Sequence, residues 1–112
     1  MITFDGGSVG TLCYNTVGNG AFAKERLEVY GGGNVAALDD FRSLQIVKNG
    51  KLTQSKAANQ DKGQQREVKD TVEAFRTTGT APISFSELVA TMRVIFAARK
   101  SASAGEPVEV TL

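Results

Sequence analysis

Three consecutive glycines, Gly31-Gly32-Gly33, limit what this chain can fold into more than any other feature. They close the segment Arg26 to Tyr30, where Leu27 and Val29 alternate with Glu28 and Tyr30 at strand spacing. They open a second apolar run, Val35 to Leu38, that stops at Asp39-Asp40. Glycine enters the left-handed region without steric cost, so the triplet can serve two architectures. One is a β-hairpin. The other is a strand, a phosphate-cradling loop and a helix, because Gly31-x-Gly33-x-x-Ala36 matches the dinucleotide-binding spacing. Residues Asn34 to Phe41 are too few for a crossover helix. No acidic residue closes a second strand about 20 residues on, where a ribose would need it. The hairpin is therefore the favoured reading.

The flanking sequence reads as further antiparallel strands. Ile2-Thr3-Phe4 precedes Asp5-Gly6, a hairpin turn pair. Ser8 to Thr16 alternates, with Val9, Thr11 and Cys13 on one side and Leu12 and Tyr14 on the other. Gly18-Asn19-Gly20 marks a loop. Asn49-Gly50 sits between SLQIVK and KLTQ and predicts a type I′ hairpin. The returning strand, Lys51 to Lys56, carries the lysines expected at a sheet edge.

Beyond Asn59 the period changes. Val68, Val72 and Phe75 share one helical face between Gln60 and Thr78, with Asp61 the expected N-cap and Gly79 the expected terminator. Ser84 and Glu87 have capping-box spacing, and Ile83 and Leu88 that of a hydrophobic staple. Leu88, Met92, Ile95 and Phe96 form an apolar stripe that ends at Gly105. Pro107 to Leu112 alternates as a last strand. Strands, then two helices, then a strand predict an α+β fold. Its form is a mostly antiparallel sheet of about six to seven strands, with both helices on one face and the other face open.

The chain has 112 residues, one domain's worth, and 41% are hydrophobic, too many for a disordered chain. Thirteen basic residues against 12 acidic ones give a net charge of +1, with no basic stripe to attract nucleic acid. No apolar run is long enough to span a membrane, and the N-terminus does not read as a signal peptide. The lone cysteine, Cys13, fits a reducing, cytoplasmic setting and is expected as a small buried side chain. Without histidine, neither a Cys-His nucleophile nor a tetrahedral nitrogen–sulfur zinc site can be built. Asp39 and Asp40 are adjacent on a strand and would diverge. Lys24-Glu25-Arg26 reads as a solvated strand entrance. These residues build no active site of their own, so no catalytic, cofactor-binding or metal-ligating residue is assigned. A binding, structural or accessory role is expected, and an uncovered sheet face would call for a partner.

Phe4-Asp5-Gly6-Gly7-Ser8-Val9-Gly10, then Leu27 to Leu38, then Pro82 to Val110 occur in an order that resembles the C-terminal α/β domain of the Gfo/Idh/MocA oxidoreductase family. The small residues from Ser101 to Val108, with Gly105 and Pro107-Val108, carry part of the likeness. Val35 to Lys51 is also similar to the subset fused to a zinc-alcohol-dehydrogenase-like region. The resemblance implies an excised C-terminal domain of a larger NAD(P)-dependent oxidoreductase, inactive by itself. NAD or NADP would bind in a missing N-terminal Rossmann domain and not in this chain. This domain would position substrate and form a homo-oligomer through its open sheet face. The family's nucleotide fingerprint, its catalytic lysine in a Glu-Lys-Pro context and its catalytic histidine are all absent from the chain, so no catalytic residue carries over. Asn15, Lys24 and Arg26 are the residues expected to border a substrate pocket. The alternative is a stand-alone, self-associating structural or binding module.

Overall fold

A four-stranded antiparallel meander organises the first part of the chain. The computed structural model describes residues 1–111. Strands β3 (Arg26–Gly31), β4 (Asn34–Asp39), β5 (Ser43–Lys48) and β6 (Lys51–Lys56) lie in the order β3-β4-β5-β6. A separate two-stranded sheet pairs β1 (Ile2–Thr3) with β2 (Val9–Gly10). The helices are α1 (Gln64–Thr78) and α2 (Phe85–Ala104). The fold is thus α+β, with antiparallel sheets of two and four strands. The chain divides into two units, Met1–Lys62 and Gly63–Leu112.

The glycine triplet resolves as a hairpin. Gly31 pairs with Asn34, and Gly32 and Gly33 form the turn at φ 55° and 74°. Positive φ at both central residues is the type I′ condition, which matches the twist of the flanking strands. Asn34 Nδ2 donates to Gly32 O at 3.0 Å. Ala36 lies within β4, so no helix N-terminus faces the glycines and the phosphate-loop alternative falls. Asn49-Gly50 repeats the same turn, at φ 52° and 71°, between Lys48 and Lys51.

The middle turn differs. Asp40, Phe41 and Arg42 connect Asp39 to its partner Ser43, and Arg42 N donates to Asp39 O at 2.9 Å. Asp40 and Phe41 both sit in the left-handed region, at φ 49° and 53°. A bulky residue there is strained, by about 1–2 kcal/mol.

The register sorts side chains into two faces, because directly paired residues share a side. One face carries Leu27, Leu38 and Leu44 in one row and Val29, Ala36 and Ile46 in the next, ending in Ser55 and Thr53 on β6. The other face has a charged row (Arg26, Asp39, Ser43, Lys56), a polar row (Glu28, Ala37, Gln45, Gln54) and an apolar row (Tyr30, Val35, Val47, Leu52). On the apolar face Leu38 and Leu44 are half-buried. Leu27 and Val29 are 58% and 55% exposed, and no described residue is buried.

In the second unit the helices end where glycine permits. Gly79 and Gly105 adopt left-handed caps at φ 71° and 70°, and their N–H groups donate to Phe75 O and Ser101 O. Ser84 forms the expected capping box. It accepts from Glu87 N at 3.2 Å, and Ser84 N donates to Glu87 Oε2 at 3.0 Å. The start of α1 departs from expectation. Gly63 is its N-cap, at φ 81° and without a side-chain cap, so Asp61 does not hold that place. The left-handed glycine turns the chain into the helix two residues later than the acidic signal suggested. Among the described residues α1 and α2 do not pack on each other. No helix among the described residues is long and apolar enough to cross a membrane.

Two strand expectations are corrected. Only Val9–Gly10 of the Ser8–Thr16 run pairs, and Thr11–Asn15 is irregular. Pro107–Thr111 forms no strand, and Leu112 lies outside the described residues. Cys13 falls in the irregular part and is exposed, because no neighbouring strand covers it.

Candidate functional site

The densest polar cluster gathers around the strained β4–β5 turn. The Asp40 carboxylate is 19% exposed and has three neighbours, two of them from distant parts of the sequence. Gln60 Nε2 donates to its Oδ1 at 2.8 Å and to Asp40 O at 3.1 Å. Lys24 N donates to Oδ1 at 3.4 Å, and the Arg42 guanidinium stands 3.7 Å from Oδ2. Asp40 N donates in turn to Glu25 O at 2.7 Å. Glu25 and Lys62 form an ion pair beside it. The other carboxylate oxygen, Glu25 Oε2, is shielded from solvent and has no hydrogen-bond partner among the described residues. The cluster ties the chain entering β3 and the chain leaving β6 to one turn. Asp40 is thus more than a solvated strand end.

The expected pocket residues part company. Arg26 lies at the start of β3, on the mixed face. Its Nε and Nη2 donate to Glu28 Oε1 at 2.9 and 2.6 Å, and its Nη1 stands 4.0 Å from Asp39. Tyr30 Oη donates to Glu28 Oε2 at 2.9 Å. Residues two apart on a strand share a face, so the sequence R-x-E-x-Y builds this row by itself. The hydrogen bonds from Arg26 and then Tyr30 hold the Glu28 carboxyl below its ordinary range. The same carboxylate raises the Arg26 guanidinium and the Tyr30 phenol above theirs. Lys24 belongs to the Asp40 cluster through its backbone N–H. Asn15 does neither. Its Oδ1 accepts from Val17 N at 2.9 Å and shapes a turn in the exposed loop.

Asp39 and Asp40 diverge, one toward Arg26 and one into the turn cluster. No group of three or more His, Cys, Asp or Glu residues is placed to hold a metal among the described residues. A depression along α1 is lined by Val68, Lys69, Val72, Glu73, Arg76 and Thr77, all from that one helix. Sequence reasoning missed Gln60 and Lys62 as parts of a cluster. Their partners are 20 and 37 residues away, and no local pattern links them.

No family model, curated protein or solved structure matches the chain.

Proposed function

We propose that this chain is the C-terminal, non-nucleotide-binding part of an NAD(P)-dependent oxidoreductase of the Gfo/Idh/MocA type. It supplies a sheet for substrate positioning and subunit association and is inactive alone. In the assembled protein the strands form one sheet of six to seven, with α1 and α2 on one face and a partner on the other. The dinucleotide belongs to a Rossmann domain that precedes Ile2. The observation that carries this reading is the apolar sheet face on which Leu27, Val29 and Ile46 stand exposed. An apolar surface on that scale marks an interaction site on a soluble chain. The row Arg26-Glu28-Tyr30 offers charged groups on the other sheet face but no acid–base pair with a nucleophile.

The test has two parts. Fluorescence titration of the chain with NADH to millimolar concentration is expected to show no binding. Saturable binding overturns the assignment of the cofactor to another domain. The coding sequence upstream of Ile2 is expected to encode a dinucleotide-binding unit in frame. A start codon with no such unit leaves the stand-alone self-associating module as the reading.

A further inference from the structure

Two open edges in the first unit are complementary in hydrogen-bonding phase. In an antiparallel ladder, alternate residues bond to one neighbour and the rest point to the other edge. Asp40 N donates to Glu25 O, and that pair continues the β3–β4 register. Leu27, Val29 and Gly31 are then the β3 residues bonded to β4. Arg26, Glu28 and Tyr30 turn their backbone groups outward. The same alternation applies to the small sheet. Phe4 N donates to Ser8 O, in phase with the Ile2–Gly10 pair. Ser8 and Gly10 therefore bond to β1. Val9, and with it Thr11, Cys13 and Asn15 in an extended continuation, would bond on the far side.

We infer that β2 extends through Asn15 and closes on the open edge of β3, with Leu12 opposite Val29. The two sheets then merge into one six-stranded antiparallel meander, β1 to β6 in chain order. Bonding phase and side-chain alternation agree on the face that this pairing presents, and this register fits both. The bonding phases require an odd residue of β2 opposite an even residue of β3. The alternation of Ser8–Thr16 puts Leu12 and Tyr14 on one side, and this register brings them opposite Val29 and Leu27 on the apolar face. Both are now over 80% exposed on an irregular segment, so closure removes apolar surface from water. Finally, the connection from Thr16 to Glu25 contains a turn, in which Phe22 N donates to Asn19 O at 3.0 Å. Val17 N is bound by the Asn15 side chain and Ala21 N by the Asn19 side chain. Closure sets Cys13 opposite Glu28 and Asn15 opposite Arg26, which unites two of the expected pocket residues. The inference rests on the single-sheet part of the function proposed above. It stands whether or not a nucleotide-binding domain precedes the chain.

Hydrogen exchange on the unmodified chain tests it. In the closed form the amides of Arg26, Glu28 and Tyr30 are protected along with those of Leu27 and Val29, by about tenfold or more over an unstructured amide. Protection at Leu27 and Val29 alone, with free exchange at the alternate residues, overturns closure. Glu28→Cys provides a second test, because Cys13 is the only native thiol. Under copper–phenanthroline and air the two thiols are expected to lose two hydrogens and form an intramolecular disulfide, since paired Cα atoms at about 5.5 Å suit one. Gln54→Cys, on the far strand β6, is the control. Equal crosslinking in the control, or only intermolecular dimers from Glu28→Cys, overturns the register.

Discussion

Two turns of the same meander reach the left-handed region by opposite means. At Gly32-Gly33 the backbone is free to be there, and little else is needed. At Asp40-Phe41 it is not free, and neighbouring segments hold it in place. Gln60, Lys24 and Arg42 converge on the Asp40 carboxylate, and Asp40 N bonds back to Glu25. The first turn is specified within two residues. The second depends on chain that arrives 20 residues later, so its strain is offset only once the sheet has formed. A turn of the first kind can nucleate a hairpin. A turn of the second kind reports that the hairpin is already anchored.

The largest effect should come from cutting the anchor. Asp40→Ala removes the acceptor of two hydrogen bonds and the partner of Arg42, and leaves Phe41 strained. A loss of about 2–3 kcal/mol is expected in urea unfolding of the first unit. A loss below about 0.5 kcal/mol would mean that the cluster does not hold the turn. Gly33→Ala, at φ 74°, adds a side chain where the backbone alone supplies the turn. It should cost about 1–2 kcal/mol, with no compensation from Gln60→Ala in a double-mutant cycle. Asp40→Ala and Gln60→Ala, by contrast, should couple strongly in the same cycle.

These differences track what the sequence made legible. Asn49-Gly50, the glycine triplet, the Ser84–Glu87 box and the glycines at 79 and 105 each encode their geometry within a few residues, and each was readable. Asp40-Phe41 was not, because Phe41 disfavours positive φ and the partners Lys24 and Gln60 are remote. The same reason hid the roles of Gln60 and Lys62. Gly63, in the left-handed region at φ 81°, is the N-cap in place of Asp61, two residues earlier. Of the expected pocket residues, Lys24 and Arg26 flank one strand entrance and Asn15 stands apart. Strand periodicity alone could not show that pairing stops at Gly10.

Two smaller effects sharpen the contrast between local and remote ties. Ser84→Ala breaks a local tie and should cost about 1 kcal/mol, visible as reduced helicity by circular dichroism and confined to α2. The last prediction concerns pH. Glu28 and Glu87 both have carboxyls held below their ordinary range, by Arg26 and Tyr30 in one case and Ser84 in the other. Each contributes stability that is present above the ordinary carboxylate range and is lost as pH falls through the lowered value. Acid titration should therefore loosen the β3 row and the start of α2. Glu28→Gln should flatten the first response and leave the second. An unchanged acid profile in Glu28→Gln would remove Glu28 from this account.

The composition of β6 limits how copies of the chain can add to one another. Lys51 and Lys56 close its ends, and Thr53, Gln54 and Ser55 leave its middle polar. Charge at an edge discourages a further strand from docking there. β6 is thus a guarded border of the four-stranded sheet. Ribbon growth that needs a strand to dock on β6 is therefore discouraged, despite the wide exposure of apolar side chains.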